Sequence, residues 1–429
     1  MSEEHLDVYG NRSILHTEQS TTVFLEGRQS EEAKKRYDEI VQAFANGFYP
    51  KAMEDIPNIL LDEKLTDEHK TLIKSLVDGL TSEVGRALVG LSCLQLAIKS
   101  ITPSQSIRLH KGGQRRSGFS WQEGISMRTL DNTYNTPFLR EYALLNMNKD
   151  GIMMTRSLAE NYPYSRLYKA ELRGPIGQWV NIVESLEDNT MPPYHALCFL
   201  LSLLKNRSDT FSKKAAEIIS SVQEFEKLTI GHVKFVLTSF FTDTTYSARA
   251  FEVVIHGFMQ ALSELKLADG TLMPLSQMRS ANKKHGNVGD VELKQGNMIM
   301  ESWDAKYGKP YLRDELEELN DKLSHHPNVE IAGFITNSAV DKSVDIMNRV
   351  EELSIIHNCE IHLLSFDEWL SMKTDDLDEA KLSILAKHWL IAVVESFGQK
   401  RLHIAPIDEP CDEWISDLSQ AINDINIMN

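Results

Sequence analysis

The spacing of apolar and polar positions divides the chain into a helical first half and a mixed second half. "SEEAKKRYDEIVQAF" places Ser30 as an N-cap, followed by acids and an apolar period near that of a helix. In "EHKTLIKSLVDGLTSEVGRALVGLSCLQLAI", Leu72, Leu76, Val77, Leu80, Val84, Leu88 and Leu91 keep to one stripe, which predicts core-facing helix. "HALCFLLSLL" and "SKKAAEIISSVQEF" predict two more helices. After residue 246 the rhythm changes. "YSARAFEVVIHGFMQALSEL" aligns Phe251, Val254, Ile255, Phe258, Leu262 and Leu265 on one helical face. "TLMPLSQMRS" and "GDVELKQGNMIMESWDAKYG" then predict extended segments, with a Gly-Asn hairpin signal at 296–297. "PYLRDELEELNDKL" aligns Leu312, Leu316, Leu319 and Leu323 as a helix, "VEIAGFIT" predicts a strand, "DKSVDIMNRVEELSII" a helix and "CEIHLLSF" a last strand. Strands alternating with helices predict a mixed sheet flanked by helices. The expected fold class is α/β in the mixed α+β sense, with a large, mostly helical domain over residues 1–240 and a second domain over 241–429.

Charge changes this picture in one region. The formal net charge is −17, which argues against nucleic-acid binding over the whole surface, because phosphate contacts need cations. Residues 102–180 run the other way. Lys111, Arg115, Arg116, Arg128 and Arg140 alternate there with Phe119, Trp121 and Tyr134, and Arg156, Arg166, Lys169 and Arg173 follow. The four cysteines, Cys93, Cys198, Cys359 and Cys411, are widely spaced with no C-x-x-C pair, so buried inert thiols are expected, and neither a disulfide scaffold nor a zinc ribbon. No apolar run of about 18 residues occurs, and the first residues lack the apolar core of a signal peptide; a cytoplasmic protein without a membrane span is expected.

The chemistry concentrates in "IMESWDAKYGK", residues 299–309. Side chains two apart on a strand share a face, so Asp304 and Lys306 point the same way, while Glu301 and Trp303 point to the other face. Asp290 opens the preceding segment, and a hairpin turning at 295–297 brings it toward Asp304; parity alone does not say which residues stand opposite. Two carboxylates held together repel, and a divalent cation relieves the repulsion. Hard oxygen donors favour Mg²⁺, with Mn²⁺ able to substitute. A lysine beside them supplies positive charge for a developing oxyanion, or orients or deprotonates a water. Acid, acid and lysine around a metal describe phosphodiester hydrolysis. Glu252, on the flank of the preceding helix and one turn before His256, is a third carboxylate placed as an outer metal ligand or water-holder. His256 itself reads as a surface or packing residue.

Asp290, a gap, then Asp304-Ala305-Lys306 resembles the PD-(D/E)xK nuclease motif, with Gly289 standing where the motif's name has Pro. The element order over 246–365 is similar to the α-β-β-β-α-β core of that restriction-endonuclease-like superfamily. Within it, "GDVEL…ESWDAKYGKPYLRDELEEL" with "GFITN…LLSFDEW" looks most like the SacI-type restriction endonucleases. The resemblance spans roughly the last 180 residues. It implies a Mg²⁺-dependent type II enzyme cutting double-stranded DNA at a short specific sequence. It also implies a homodimer, because a palindrome needs two sites related by a two-fold axis, and a cognate DNA methyltransferase as functional counterpart. Asp290, Asp304 and Glu252 are then the metal ligands and Lys306 the catalytic cation. A bare D-x(n)-D-x-K is weak evidence, since a solvated Asp–Lys pair on a surface hairpin has the same letters; the flanking helix and strand order raise its weight.

For DNA contacts, Lys283 and Lys284 lie just ahead of Asp290, where a basic loop would meet phosphates. Arg115, Arg116, Gln122 and Arg128 are candidates for base reading, since Arg and Gln make bidentate contacts to guanine and adenine. Phe119 and Trp121 read more readily as loop anchors. Two other readings stay open: a repair, recombination or modification-dependent nuclease with the same core, and a DNA-binding scaffold that does not cut.

Overall fold

The computed structural model describes residues 4–428 apart from 18–19, 81–82, 114–117, 146, 148–149, 153–155, 173, 276–285 and 398–410. The chain forms two compact units, 1–209 and 210–429. The class is mixed α+β.

The first unit opens with an antiparallel sheet of β1 (His5–Val8), β2 (Arg12–His16) and β3 (Thr21–Leu25), in that order. The helical reading of the first half misses this sheet. In "RSILH" and "TTVFL" the apolar residues stand side by side instead of alternating, so no two-residue period marks these strands. One face, through Leu15 and Phe24, packs on Leu109 and Trp121. Helices follow: α1 (Glu31–Ala45), α2 (Phe48–Ile59), α3 (Asp67–Asp78) and α4 (Glu83–Ile101). Ser30 caps α1 as expected, its hydroxyl accepting from the Ala33 N–H at 3.1 Å. Two short helices, α5 (Met127–Leu130) and α6 (Thr136–Glu141), flank a π-turn, and α7 (Ile176–Glu187) completes the layer. Leu72 and the fully buried Leu76, Leu88 and Leu91 join one core with Trp179 of α7.

The division between units falls inside α8 (Pro193–Glu224), N-terminal to the expected 240/241 boundary. The physical reason is burial: Ala215, Ile218 and Val222 near the end of α8, and Val233, Val236 and Phe240 of α9 (Ile230–Asp243), belong to the second unit's core.

That unit is built on a five-stranded sheet ordered β4-β5-β6-β7-β8. The strands are β4 (Thr271–Leu272), β5 (Val291–Gln295), β6 (Met298–Lys306), β7 (Val329–Thr336) and β8 (Glu360–Ser365). β4, β5 and β6 run antiparallel, whereas β6, β7 and β8 run parallel. Parallel neighbours need crossovers, supplied by α11 (Arg313–His325) and α12 (Val344–His357). β5 and β6 meet through a two-residue loop whose first residue, Gly296, takes φ +63°, a conformation suited to glycine. On one face, α10 (Ser247–Glu264), α13 (Phe366–Thr374), α14 (Glu379–Phe397) and α15 (Cys411–Met428) bury Phe251, Phe258, Trp303, Trp369, Trp389 and Trp414 together. On the other, the predicted stripe of Leu312, Leu316, Leu319 and Leu323 covers Ala332 and Phe334.

Cys93, Cys198 and Cys359 are buried and unpaired as disulfides, and burial pushes the Cys359 thiol up to about 11, consistent with inert thiols. Among the described residues, no helix is long and apolar enough to cross a membrane.

Candidate active site

The hairpin carries the site because a bulge corrects its register. Next to the turn, Gln295 stands opposite Met298 and Lys294 opposite Ile299. That count, continued, would set Asp290 opposite Trp303 and on the core face. Between Leu293 and Lys294 the register shifts, leaving Met300 without a partner on β5. Beyond the bulge Leu293 faces Glu301 and Val291 faces Trp303, so Asp290 comes beside Asp304. The Asp290 N–H donates to the Trp303 carbonyl at 2.9 Å, and the Ala305 N–H donates to Asp290 Oδ2 at 3.0 Å.

Strand parity assigns the remaining residues as the sequence predicts. Trp303 is fully buried in the helix-covered core, and its indole N–H donates to Glu301 Oε2 at 2.8 Å. Lys373 of α13 pairs with the same Glu301 oxygen. Glu301 is therefore held on the Trp303 face, away from Asp304. On the opposite face the Lys306 ammonium sits 2.9 Å from Asp304 Oδ1. Lys322 of α11 reaches Asp304 Oδ2 at 3.4 Å. From α10, Glu252 is paired with Arg249 one turn earlier. His256 is buried and bonds the Met273 carbonyl at 3.1 Å, a packing role.

The electrostatics separate the two aspartates. Burial, then the charges of Asp304 and Glu252, push the Asp290 carboxyl well above the usual carboxylate range. Burial also opposes the charge on Asp304, but Lys306, the hydrogen bond from Asp290 and Lys322 outweigh it and hold Asp304 below that range. The neutral form is thus favoured at Asp290 and the ionised form at Asp304. Glu252 is raised by burial, with Asp304 adding to the effect and Arg249 opposing it. For Lys306, burial favours the neutral amine, but Asp304 and Asp290 outweigh it and keep the ammonium charged.

A hard divalent cation suits this donor set: two buried carboxylates side by side, whose mutual repulsion a cation would relieve. Asp290 and Asp304 would hold the ion. Glu252 shares the electrostatic neighbourhood of both aspartates, its charge adding to the rise of Asp290 and that of Asp304 adding to its own.

Gly289 explains the departure from proline at its position. A Cβ there would lie 2.7 Å from both Ser302 Oγ and the Trp303 carbonyl oxygen. The Gly289 N–H also donates to Glu292 Oε1 at 3.3 Å, a bond proline cannot make. The buried Glu292 carboxylate takes the Val288 N–H at 2.6 Å and pairs with Lys294 at 2.8 Å, which fixes the approach to β5.

The expected DNA-reading residues fare differently. Arg115, Arg116, Lys283 and Lys284 lie outside the described residues. Gln122 is half-buried, its backbone pairs with Leu25 and Ser30, and its side-chain amide donates to the Glu26 carbonyl at 3.3 Å. Arg128 is exposed on α5. Phe119 packs edge-on against the buried Trp121 at 4.9 Å, so the aromatics anchor the loop. Lys111 bonds Asn161, and Arg140 bonds the Met147 carbonyl, so part of the basic stretch serves the fold.

Two site residues escape sequence reasoning, Lys322 and Arg249. Lys322 immediately precedes Leu323 of the predicted core stripe, which places it on the flank nearest the sheet. Arg249 lies three residues before Glu252, the spacing of a helical ion pair. Comparison of the sequence with protein-family models and with curated proteins finds no match.

Proposed function

We propose that the chain is a Mg²⁺-dependent DNA endonuclease of the PD-(D/E)xK kind, a type II restriction enzyme most similar to the SacI-type family, acting as a homodimer. The observation that carries this reading is the Asp290–Asp304 pair with Lys306 on the same face, 2.9 Å from Asp304. The element order α10-β4-β5-β6-α11-β7-α12-β8 supports it, with the acidic pair at the end of the central hairpin.

In this reading Asp290 and Asp304 bind the metal and Glu252 holds a water at its edge. The bound ion supplies Lewis-acid polarisation of the phosphate and a more acidic water. A cation held there would favour the ionised form of Asp290, which burial and the neighbouring acids now oppose. Lys306 is held protonated by its acidic neighbours, which suits it to stabilise charge on a phosphate oxygen rather than to act as the base. Lys322, the second ammonium on Asp304, competes with a cation for its Oδ2.

The test is digestion of unmodified plasmid in Mg²⁺ buffer with run-off sequencing of the ends. Discrete fragments with one sequence at every end support the reading. Cutting confined to modified or branched DNA assigns the core to a repair or modification-dependent nuclease, and DNA binding without cutting under any condition assigns a scaffold. Cleavage that survives Asp304→Ala overturns the site assignment.

A further inference from the structure

The outer face of the N-terminal sheet carries a second constellation, separate from the acidic pair. His5 and His16 are directly opposite on β1 and β2, and Asp7 lies two residues from His5 on the same face. The two imidazoles stack at 4.2 Å with planes 14° apart. Their Nε2 atoms stand 3.8 and 3.5 Å from Asp7 Oδ2, and the three donor atoms all lie within 4.8 Å of one another. A metal with bonds of about 2.0–2.2 Å holds tetrahedral ligands roughly 3.3–3.5 Å apart. The His16–Asp7 separation already fits, and the half-exposed His5 ring, stacked on His16, would rotate out of that stack to aim its in-plane Nε2 lone pair at the same ion.

A further contact orients one of the ligands. Thr21, opposite His16 on β3, bonds His16 Nδ1 at 3.1 Å. A ligating histidine characteristically engages its other ring nitrogen in such a contact; with Nδ1–H donating to the hydroxyl, Nε2 is the nitrogen left for the metal. The reverse face of the sheet is locked to the core by Leu15 and Phe24, so the donors stand on a supported surface. Their side chains are 50%, 42% and 29% exposed for His5, Asp7 and His16, which leaves water room to complete the shell.

We infer that His5, Asp7 and His16 form a site for a divalent late transition ion of the Zn²⁺ class. Two imidazoles and one carboxylate select such an ion over Mg²⁺, because imidazole is a poor ligand for hard cations. The ion joins β1 to β2 and keeps an open position for water. This site does not depend on the nuclease reading, and its chemistry differs from that of the Asp290–Asp304 pair.

The test is isothermal titration of the full chain with ZnCl₂ in excess Mg²⁺. The wild type is expected to take up one equivalent that Mg²⁺ does not displace. The His5→Ala/His16→Ala double variant should lose that equivalent. Thr21→Val keeps the strand's β-branched shape and should weaken binding about 10-fold or more, through His16 alone. Asp7→Asn, with no large change in volume, should weaken it as well. No zinc uptake by the wild type, or equal uptake by the folded double variant, overturns the inference. Should the double variant fail to fold, unchanged affinity in both Thr21→Val and Asp7→Asn overturns it.

Discussion

Replacing Asp290 by Asn should stabilise the second unit at alkaline pH, while Asp304→Asn should destabilise it. The carboxylates are in hydrogen-bond contact in a buried position. Two charges about 4 Å apart at an effective dielectric near 20 repel by roughly 4 kcal/mol. A proton on Asp290 relieves part of this, so Asn at 290 is expected to gain about 1–2 kcal/mol at pH 8. The sign follows from linkage. Asp290 is raised, so the folded chain holds a proton that the unfolded chain releases. Its contribution is fully present below the unfolded carboxylate value near 3.9 and is lost as pH rises through the raised value. The advantage of Asp290→Asn should therefore vanish near pH 4 and grow upward. Asp304 is the reverse case: it is lowered, and Lys306 and Lys322 both depend on it. Removing one partner of a buried pair costs about 3–5 kcal/mol. The lysines are 18% and 17% exposed and partly rehydrate, so about 2–3 kcal/mol is expected for Asp304→Asn. Urea unfolding with EDTA present, followed by tryptophan fluorescence, is suited to the comparison, because Trp303, Trp369, Trp389 and Trp414 all lie in this core. Equal destabilisation by the two variants, or a difference that does not change with pH, refutes the shared-proton argument.

Three further outcomes follow from the same geometry. Lys306→Ala should lower single-turnover cleavage by at least about 10²–10³-fold, the scale for losing one preorganised donor to an oxyanion, with DNA affinity in a gel-shift assay largely kept. Lys322→Ala removes a cation that competes for Asp304 Oδ2 at 3.4 Å, so the Mg²⁺ concentration giving half-maximal cleavage should fall; a rise would refute the competition. Gly289→Ala drives a Cβ to 2.7 Å from the Trp303 carbonyl and should cost about 1–3 kcal/mol in thermal or urea unfolding, with Asp290 displaced and cleavage reduced.

Much of the local structure is legible in the sequence because it depends on periodicity. The leucines of α11 and the apolar face of α10 are buried where a 3.6-residue period places them. The N-terminal sheet is not legible in the same way. "RSILH" and "TTVFL" set their apolar residues side by side instead of alternating, and the inward residues of β2 and β3, Leu15 and Phe24, are picked out only by contact with Leu109 and Trp121. The unit boundary inside α8 is equally hidden, since one continuous helix gives no break in composition where its partners change.

In the hairpin the same distinction holds. Parity by itself places Asp304 with Lys306 and sends Glu301 with Trp303 to the other face, because a two-residue repeat is a property of any strand. Whether Asp290 joins Asp304 depends on the unpaired Met300, since a register slip of one residue exchanges the faces of everything beyond it. Arg249 pairs locally with Glu252 on α10, whereas Lys322 enters by docking of α11 onto the sheet. Such contacts between distant segments have no period to read, so only the packed tertiary structure decides them.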